Sequence, residues 1–197
     1  PNYNEDKIFF DAYKQISTPG GNRYPEVNQA IVNSFEEGAL IVNYTGHGGE
    51  TGLGHERVFT VSDINGIENP NSLPLMVTAT CEFSRFDDPK RTSAGELVLL
   101  NKGGGIALLT TVRLVYSTPN FYLNKTFYDK VFEPVNNEMP RLGDIFMEVK
   151  NLNASNSNNR NFTLLGDPAL RLAYPIHDVA TTKLNGAFLS ASIDTVR

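Results

Sequence analysis

Unbroken apolar runs are the clearest pattern along the chain. They lie at 39–42, 73–79 and 106–112, and they show no polar alternation that would leave one face for solvent. Strands that are buried on both faces have this appearance, and such strands occur in parallel sheets. The pattern therefore predicts three strands of one largely parallel sheet.

Helical patterns separate these runs. One helix is predicted to follow Pro25, which suits a first helical turn, and Gly38 ends it. Another begins at the capping box formed by Ser93 and Glu96. Two more are predicted from Thr118 and from Pro140 onward. Alternation of buried strands with helices predicts an α/β fold with a doubly wound, mostly parallel sheet.

The remaining segments complete the predicted organisation. Residues 7–13 have the composition of a strand, residues 162–165 and 170–174 are expected to pair as strands, and the asparagine-rich stretch 151–161 is expected to be a solvated loop. After Pro175 the sequence becomes alternating and rich in threonine. We therefore expect one unit over residues 1–176 and the start of a separate β domain over residues 177–197.

Composition narrows the function classes. The chain has 197 residues, 40% of them hydrophobic, which is enough for one substantial core. Its formal net charge is −5 and it has no basic block, which argues against a nucleic-acid partner. No apolar run approaches the ~20 residues of a membrane-spanning helix. The single cysteine excludes a disulfide framework within the chain and any zinc site built from several cysteines.

The candidate chemistry lies where two of the buried runs end. The first run leads into His47 and the second into Cys81. Ligands of open α/β sheets bind outside the carboxyl ends of the parallel strands, and neighbouring strands lie ~4.8 Å apart. If these strands are neighbours, His47 and Cys81 lie side by side. A thiol has a pKa of ~8.5, so a cysteine nucleophile needs a nearby base such as imidazole.

Residues next to this pair suggest further roles. The N–H groups of Gly48 and Cys81 are candidates to stabilise an oxyanion. Glu50, Glu82, Arg113 and Tyr116 belong to the segments that follow the predicted strands, and we expect them to contact substrate.

Other interpretations of the same residues exist. Gly-His-Gly also suits a tight turn, and a lone cysteine often fills a core. His47, Glu50, His55 and Glu56 are chemically suited to zinc, but three glycines between 49 and 54 leave no helical face that would fix a ligand set. The chain lacks a Gly-x-Ser-x-Gly elbow, and the glycines at 103–105 precede a strand, which excludes a dinucleotide loop. The sequence predicts no metal and no cofactor.

Three motifs carry a resemblance to a known family. YTGHGGE (44–50), TATCEF (78–83) and LLGDPAL (164–170) resemble the gingipain family of caspase-like cysteine peptidases, and the similarity spans about residues 5–175. VNYTGHGGETGL (42–53) and the early segments are most similar to the branch of surface sortases that serve type IX secretion.

The resemblance implies a caspase-like fold in which His47 and Cys81 match the catalytic pair, so that residues 1–176 form a catalytic subdomain. It implies an immunoglobulin-like domain after Pro175 and an earlier subdomain that contributes acidic residues. It also implies a sortase that removes a C-terminal signal domain from secreted proteins on the extracellular face of the bacterial outer membrane. The same resemblance implies an outer-membrane β-barrel partner and a lipopolysaccharide acceptor.

One departure from the family limits what the resemblance implies. Gingipains place a tryptophan in the loop after the strand that follows the cysteine, whereas this chain has no tryptophan and places 112–117 there. The resemblance therefore does not extend to the Arg- or Lys-directed pocket of gingipains. Two hypotheses remain open: an active cysteine endopeptidase or transpeptidase, and a catalytically idle caspase-like scaffold or binding module.

Overall fold

A four-stranded sheet lies at the centre of the structure, a computed structural model that describes residues 3–175, 182–184 and 187–188. The strands are β1 (Ile16–Thr18), β2 (Gly21–Arg23), β3 (Ile41–Thr45), β4 (Gly48–Gly49), β5 (Gly52–Leu53), β6 (Phe59–Thr60), β7 (Leu75–Ala79), β8 (Ala107–Thr111), β9 (Phe162–Leu165), β10 (Lys183–Leu184) and β11 (Ala187–Phe188). The helices are α1 (Pro25–Glu36), α2 (Val61–Gly66), α3 (Ala94–Leu100), α4 (Ser117–Val131) and α5 (Leu142–Leu152).

The central sheet has the order β3-β7-β8-β9. The first three strands are parallel, with Ile41 opposite Leu75 and Leu75 opposite Ala107, and β9 runs antiparallel to β8. Every residue of β7 and β8 is buried. The three apolar runs are thus parallel neighbours, as their pattern predicts.

Helices cover both faces of this sheet, which confirms the predicted doubly wound α/β class. Successive side chains of a strand point to opposite faces, so each strand supplies both cores. The core on one face joins α1 and α3 to the sheet through Val27, Phe35, Met76, Val98 and Leu108. The core on the other face joins α4 and α5 to the sheet through Leu75, Val77, Leu123, Phe127, Ile145 and Val149.

Local sequence signals place the helix ends correctly. Pro25 opens α1, and Ser93 with Glu96 forms the capping box of α3, in which the Glu96 carboxylate accepts from the Ser93 N–H at 2.7 Å. Gly38 follows α1 at a φ of +86°. A Cβ there would lie 2.5 Å from the Cβ of Ser72, so the position requires glycine for conformation and for space.

Two of the predicted strands are absent from the structure. Residues 7–13 contain a short 3₁₀ turn, Phe10–Ala12, and residues 170–174 have no strand. Both segments have apolar or aromatic residues, and Phe10 and Leu170 pack against the cores. A strand also needs a partner that accepts its backbone hydrogen bonds, and composition does not supply one.

The expectation for residues 177–197 lies mostly outside the described residues. Within that segment β10 pairs with β11 in an antiparallel register, with Lys183 opposite Phe188. The separate β domain stays a prediction. Among the described residues, no helix is long and apolar enough to cross a bilayer.

Candidate active site

The ends of β3 and β7 bring the His47 and Cys81 segments together. Thr45 pairs with Ala79, and the next amide, that of Gly46, donates to the Ala79 carbonyl at 3.4 Å. Gly48 then packs against Thr80, because a Cβ at residue 48 would lie 2.6 Å from the Thr80 hydroxyl oxygen. The residue after His47 therefore contacts the residue before Cys81.

A small three-stranded sheet, β4-β5-β6, fixes the chain around His47. The His47 carbonyl accepts two hydrogen bonds, from the Tyr44 hydroxyl at 2.7 Å and from the Gly54 amide at 2.8 Å. Burial, and secondarily the negative charge of Glu56, raises the pKa of Tyr44 to about 12. The Tyr44 hydroxyl therefore remains a donor at neutral pH.

The same small sheet places a second imidazole against the first. The His47 and His55 rings are stacked with centroids 5.0 Å apart and planes 13° apart, and both residues are exposed. Sequence patterns place these residues near each other in the chain but do not predict ring stacking. Within the part of the chain that the structure describes, no group of three or more histidine, cysteine, aspartate or glutamate side chains is suited to a metal.

The register of β4 and β5 bears on the predicted oxyanion donor. Since Gly54 donates to the His47 carbonyl, these two residues form a hydrogen-bonded pair of the ladder. The next pair, Gly48 and Leu53, is then a non-hydrogen-bonded pair, because the two kinds alternate. The Gly48 N–H points away from β5, as an oxyanion donor requires.

Cys81 lies at the start of the turn that follows β7. It is a free, half-buried thiol, and its Sγ lies 3.7 Å from the Val115 carbonyl oxygen. The next residue, Glu82, has a φ of +50°, and its N–H donates to the Arg113 carbonyl at 3.3 Å. The backbone therefore bends sharply beside the sulfur, and the segment 112–116 forms a wall next to it.

Glu50 connects the loop that follows His47 with the loop that follows Cys81. Its carboxylate is 14% exposed and contacts Arg85 at 3.0 Å and Arg91 at 3.2 Å. Its carbonyl accepts from the Ala94 amide, the first of α3, at 2.7 Å. Sequence reasoning missed both arginines, because residues 35 and 41 positions away in the chain give no local signal.

The other residues predicted to contact substrate differ in their surroundings. Glu82 lies 3.7 Å from Arg85, and Arg113 binds Asp87 with an Nη1–Oδ1 distance of 2.9 Å. The hydrogen bond from Arg113 lowers the pKa of Asp87 below its ordinary value. Tyr116 is 73% exposed just before α4. Substrate contact by Glu50, Glu82, Arg113 and Tyr116 stays a prediction, but three of the four already have ionic partners.

Comparison with known proteins gives one family match. The model of peptidase family C25 matches residues 1–173. No curated protein sequence matches the chain.

Several solved structures are similar to this chain in fold. The complex of the pro- and mature domains of RgpB from Porphyromonas gingivalis has a TM-score of 0.64 at 21% identity and covers 74% of this chain and 37% of its own. The Arg-specific cysteine proteinase gingipain R (RgpB) has a TM-score of 0.64 at 23% identity, with 74% and 36% covered. A third protease has a TM-score of 0.61 at 18% identity, with 71% and 37% covered.

The chain thus spans little more than a third of the solved proteins that it matches. Their likeness shows that the doubly wound sheet is the caspase-like fold of gingipains. The family model, which covers most of the chain, shows the family. This chain belongs to peptidase family C25, the gingipain family.

Proposed function

We propose that Cys81 and His47 form the catalytic pair of this cysteine peptidase, and that the intact protein acts as a sortase-like endopeptidase and transpeptidase. The observation that carries the proposal is the contact between Gly48 and Thr80, the residues that follow His47 and precede Cys81. This contact holds the two segments together at the carboxyl end of the parallel sheet, where α/β enzymes bind their ligands.

The proposed chemistry is nucleophilic acyl transfer. The Cys81 thiol gives its proton to a His47 ring nitrogen, and the sulfur attacks the scissile carbonyl carbon. The N–H groups of Gly48 and Cys81 stabilise the oxyanion. As the carbon–nitrogen bond breaks, His47 returns the proton to the leaving amine and a thioester remains on Cys81. Water resolves the thioester in hydrolysis, and an acceptor amine resolves it in transfer.

The proposed substrates are secreted proteins from which a C-terminal signal domain is removed on the extracellular face of the bacterial outer membrane. A β-barrel partner and a lipopolysaccharide acceptor are part of the same proposal. Support comes from the segment 42–53, whose sequence resembles the form found in the sortase branch.

Three carboxylates of the loops after β3 and β7 have arginine partners within this chain: Glu50, Glu82 and Asp87. A pocket for a substrate arginine needs a carboxylate that is available to its guanidinium group. We therefore propose that none of these three carboxylates recognises a substrate arginine. A peptide panel that varies the residue before the scissile bond tests this proposal: a preference for arginine that is lost in Glu82→Gln or Asp87→Asn would contradict it.

The experiment that tests the proposed function uses the full-length protein in its own cells. Cys81→Ala and His47→Ala are compared with Glu26→Gln, a change at an exposed position on α1. Mass spectrometry of secreted proteins should find the C-terminal signal domain retained with the first two variants and removed with the third. Normal removal in Cys81→Ala would refute the catalytic role.

Labelling of the purified protein with a thiol-reactive probe distinguishes an active peptidase from a catalytically idle module. An active site predicts rapid labelling of Cys81 that depends on His47. Rapid labelling without removal of signal domains would support a peptidase and contradict the sortase role. Slow labelling that is equal in His47→Ala would favour the idle module.

A further inference from the structure

The asparagine-rich segment 151–161 is largely exposed, as its composition suggests, but it also carries buried asparagines. It contains six asparagines. Two of them, Asn153 and Asn158, are 8% and 1% exposed. Buried amides are retained where they satisfy other polar groups, so their partners indicate their role.

Asn158 binds the backbone of Tyr116 on both sides of the residue. Its side-chain oxygen accepts from the Tyr116 N–H at 3.1 Å, and its Nδ2 donates to the Tyr116 carbonyl at 2.7 Å. The same Nδ2 donates to the Asn120 side-chain oxygen at 3.0 Å on α4. The buried amide of Asn158 therefore binds both backbone groups of Tyr116, as a neighbouring strand would.

Asn161 binds the same wall at Leu114 and Val112, two and four residues before Tyr116. Its Nδ2 donates to the Leu114 carbonyl at 2.9 Å, and its own carbonyl accepts from the Val112 N–H at 2.9 Å. The bonds from the asparagine segment thus reach residues 112, 114 and 116.

The alternate residues of the wall face the nucleophile segment. The Arg113 carbonyl accepts from the Glu82 N–H at 3.3 Å, and the Val115 carbonyl lies 3.7 Å from the Cys81 sulfur. Residues 112–116 therefore stand between two layers, with the asparagines behind and Cys81 in front. The position of the wall relative to Cys81 depends on the layer behind it.

We infer that Asn158 and Asn161 are positioning residues, which hold the wall 112–116 at its distance from Cys81 and so determine how a substrate is seated beside the sulfur. The wall presents the side chains of Leu114 and Tyr116 at the protein surface, where they are 68% and 73% exposed. This inference rests on the proposed role of Cys81 as nucleophile.

The test compares three variants of the full-length protein. Asn158→Ala and Asn161→Asp remove donors to the wall, and the second preserves side-chain volume. Asn153→Ala is the matched control, because Asn153 is a buried asparagine whose Nδ2 donates to Val149 at 2.9 Å and Thr126 at 3.0 Å, away from the wall. The measurements are the melting temperature, hydrogen exchange at the amides of Val112 and Tyr116, the iodoacetamide alkylation rate of Cys81, and KM and kcat for a cleaved peptide.

We expect Asn158→Ala to accelerate exchange at the Tyr116 amide, which loses its acceptor, and both variants to change the alkylation rate of Cys81 and to lower kcat/KM. The Val112 amide, whose acceptor is the main-chain carbonyl of Asn161, reports whether the wall itself has moved. A loss in kcat/KM of about tenfold or more is expected, since a displacement of ~1 Å can cost ~100-fold in rate. Asn153→Ala should lower the melting temperature and leave the other three readouts unchanged. If Asn158→Ala does not fold, Asn161→Asp, which alters a less buried side chain, carries the test.

Two outcomes would overturn the inference: an alkylation rate and kcat/KM that stay unchanged in Asn161→Asp, or equal losses in Asn153→Ala. Failure of the proposed function appears differently. Cys81 would then be alkylated slowly in the unmodified protein and at the same rate in His47→Ala, whereas the exchange at Val112 and Tyr116 would still report whether the asparagines hold the wall.

Discussion

Gly48 packs against Thr80 where the two halves of the candidate active site meet. An added Cβ at residue 48 would meet the Thr80 Oγ1 at 2.6 Å and its Cγ2 at 3.1 Å. The Thr80 hydroxyl is buried and, among the described residues, has no hydrogen-bond partner. The contact of Thr80 with Gly48 is therefore steric and not polar.

This contact predicts that the sizes of the side chains at positions 48 and 80 together affect stability and activity. Gly48→Ala should destabilise the protein by roughly 1–3 kcal/mol through overpacking, and should lower kcat/KM because the His47 turn is pushed away from Cys81. Thr80→Ala should cost less than about 1 kcal/mol, because it removes a hydroxyl that lacks a partner. Urea unfolding and peptide cleavage measure both effects.

The double variant Gly48→Ala/Thr80→Ala should recover part of the stability and activity lost in Gly48→Ala, since the nearest clashing side chain is gone while the Leu53 Cδ2, at 3.1 Å from the added Cβ, remains. Gly49→Ala is the control, because a Cβ there meets no atom within 4 Å. Additive losses in the double variant would show that the contact does not position His47.

Some features at the residue scale follow from the local sequence, and others depend on distant parts of the chain. His47 and Cys81 are predictable because each follows an apolar run whose burial fixes its strand. The stacking of His55 on His47 and the pairing of Glu50 with Arg91 depend on where loops from different parts of the chain meet. No pattern in either loop encodes that meeting point.

At the scale of elements, the loops after β3 and β7 are joined by charge. Glu50 in the first loop is 14% exposed between Arg85 and Arg91 of the second, which are 38% and 52% exposed. Such a partly buried pair is screened less than a surface pair, and removal of its shared carboxylate leaves two arginines without their anion.

Glu50→Gln should therefore lower the free energy of unfolding by about 1–2 kcal/mol and reduce kcat/KM through loosened loops. The control is Asp129→Asn, which removes an ion pair with Lys125 in which both side chains are more than half exposed. That change should cost less than about 0.5 kcal/mol. Equal effects of the two substitutions, measured by urea unfolding, would contradict a joining role for Glu50.

The elements that sequence predicts well are those with a local signal of their own. The helix after Pro25 follows from its apolar spacing and its end signals, and the fully buried β7 and β8 follow from their unbroken apolar runs. The stretch 151–161 misleads in part because asparagine suits water and also suits hydrogen bonds to exposed backbone. Which of the two occurs depends on the wall 112–116, about 40 residues earlier in the chain.

At the scale of the whole molecule, tyrosines buried in different places make stability depend on alkaline pH. Burial is the main cause that raises the pKa of Tyr44, Tyr128 and Tyr174 above the ordinary value of 10.0, with Tyr44 and Tyr174 at about 12. The Tyr174 hydroxyl donates to the Val131 carbonyl at 2.6 Å, as that of Tyr44 does to His47. A phenolate cannot donate either bond.

A raised folded-state pKa means that this contribution to stability is complete below pH 10 and is lost as pH rises from 10 toward about 12. The free energy of unfolding should therefore fall across that range. The fall should be smaller in Tyr44→Phe and in Tyr174→Phe, because phenylalanine does not titrate. Tyr122→Phe, at a position that is 55% exposed, should keep the full dependence. Urea titrations at about pH 9, 10 and 11 measure it, and equal slopes in all four proteins would mean that the alkaline loss arises from other groups.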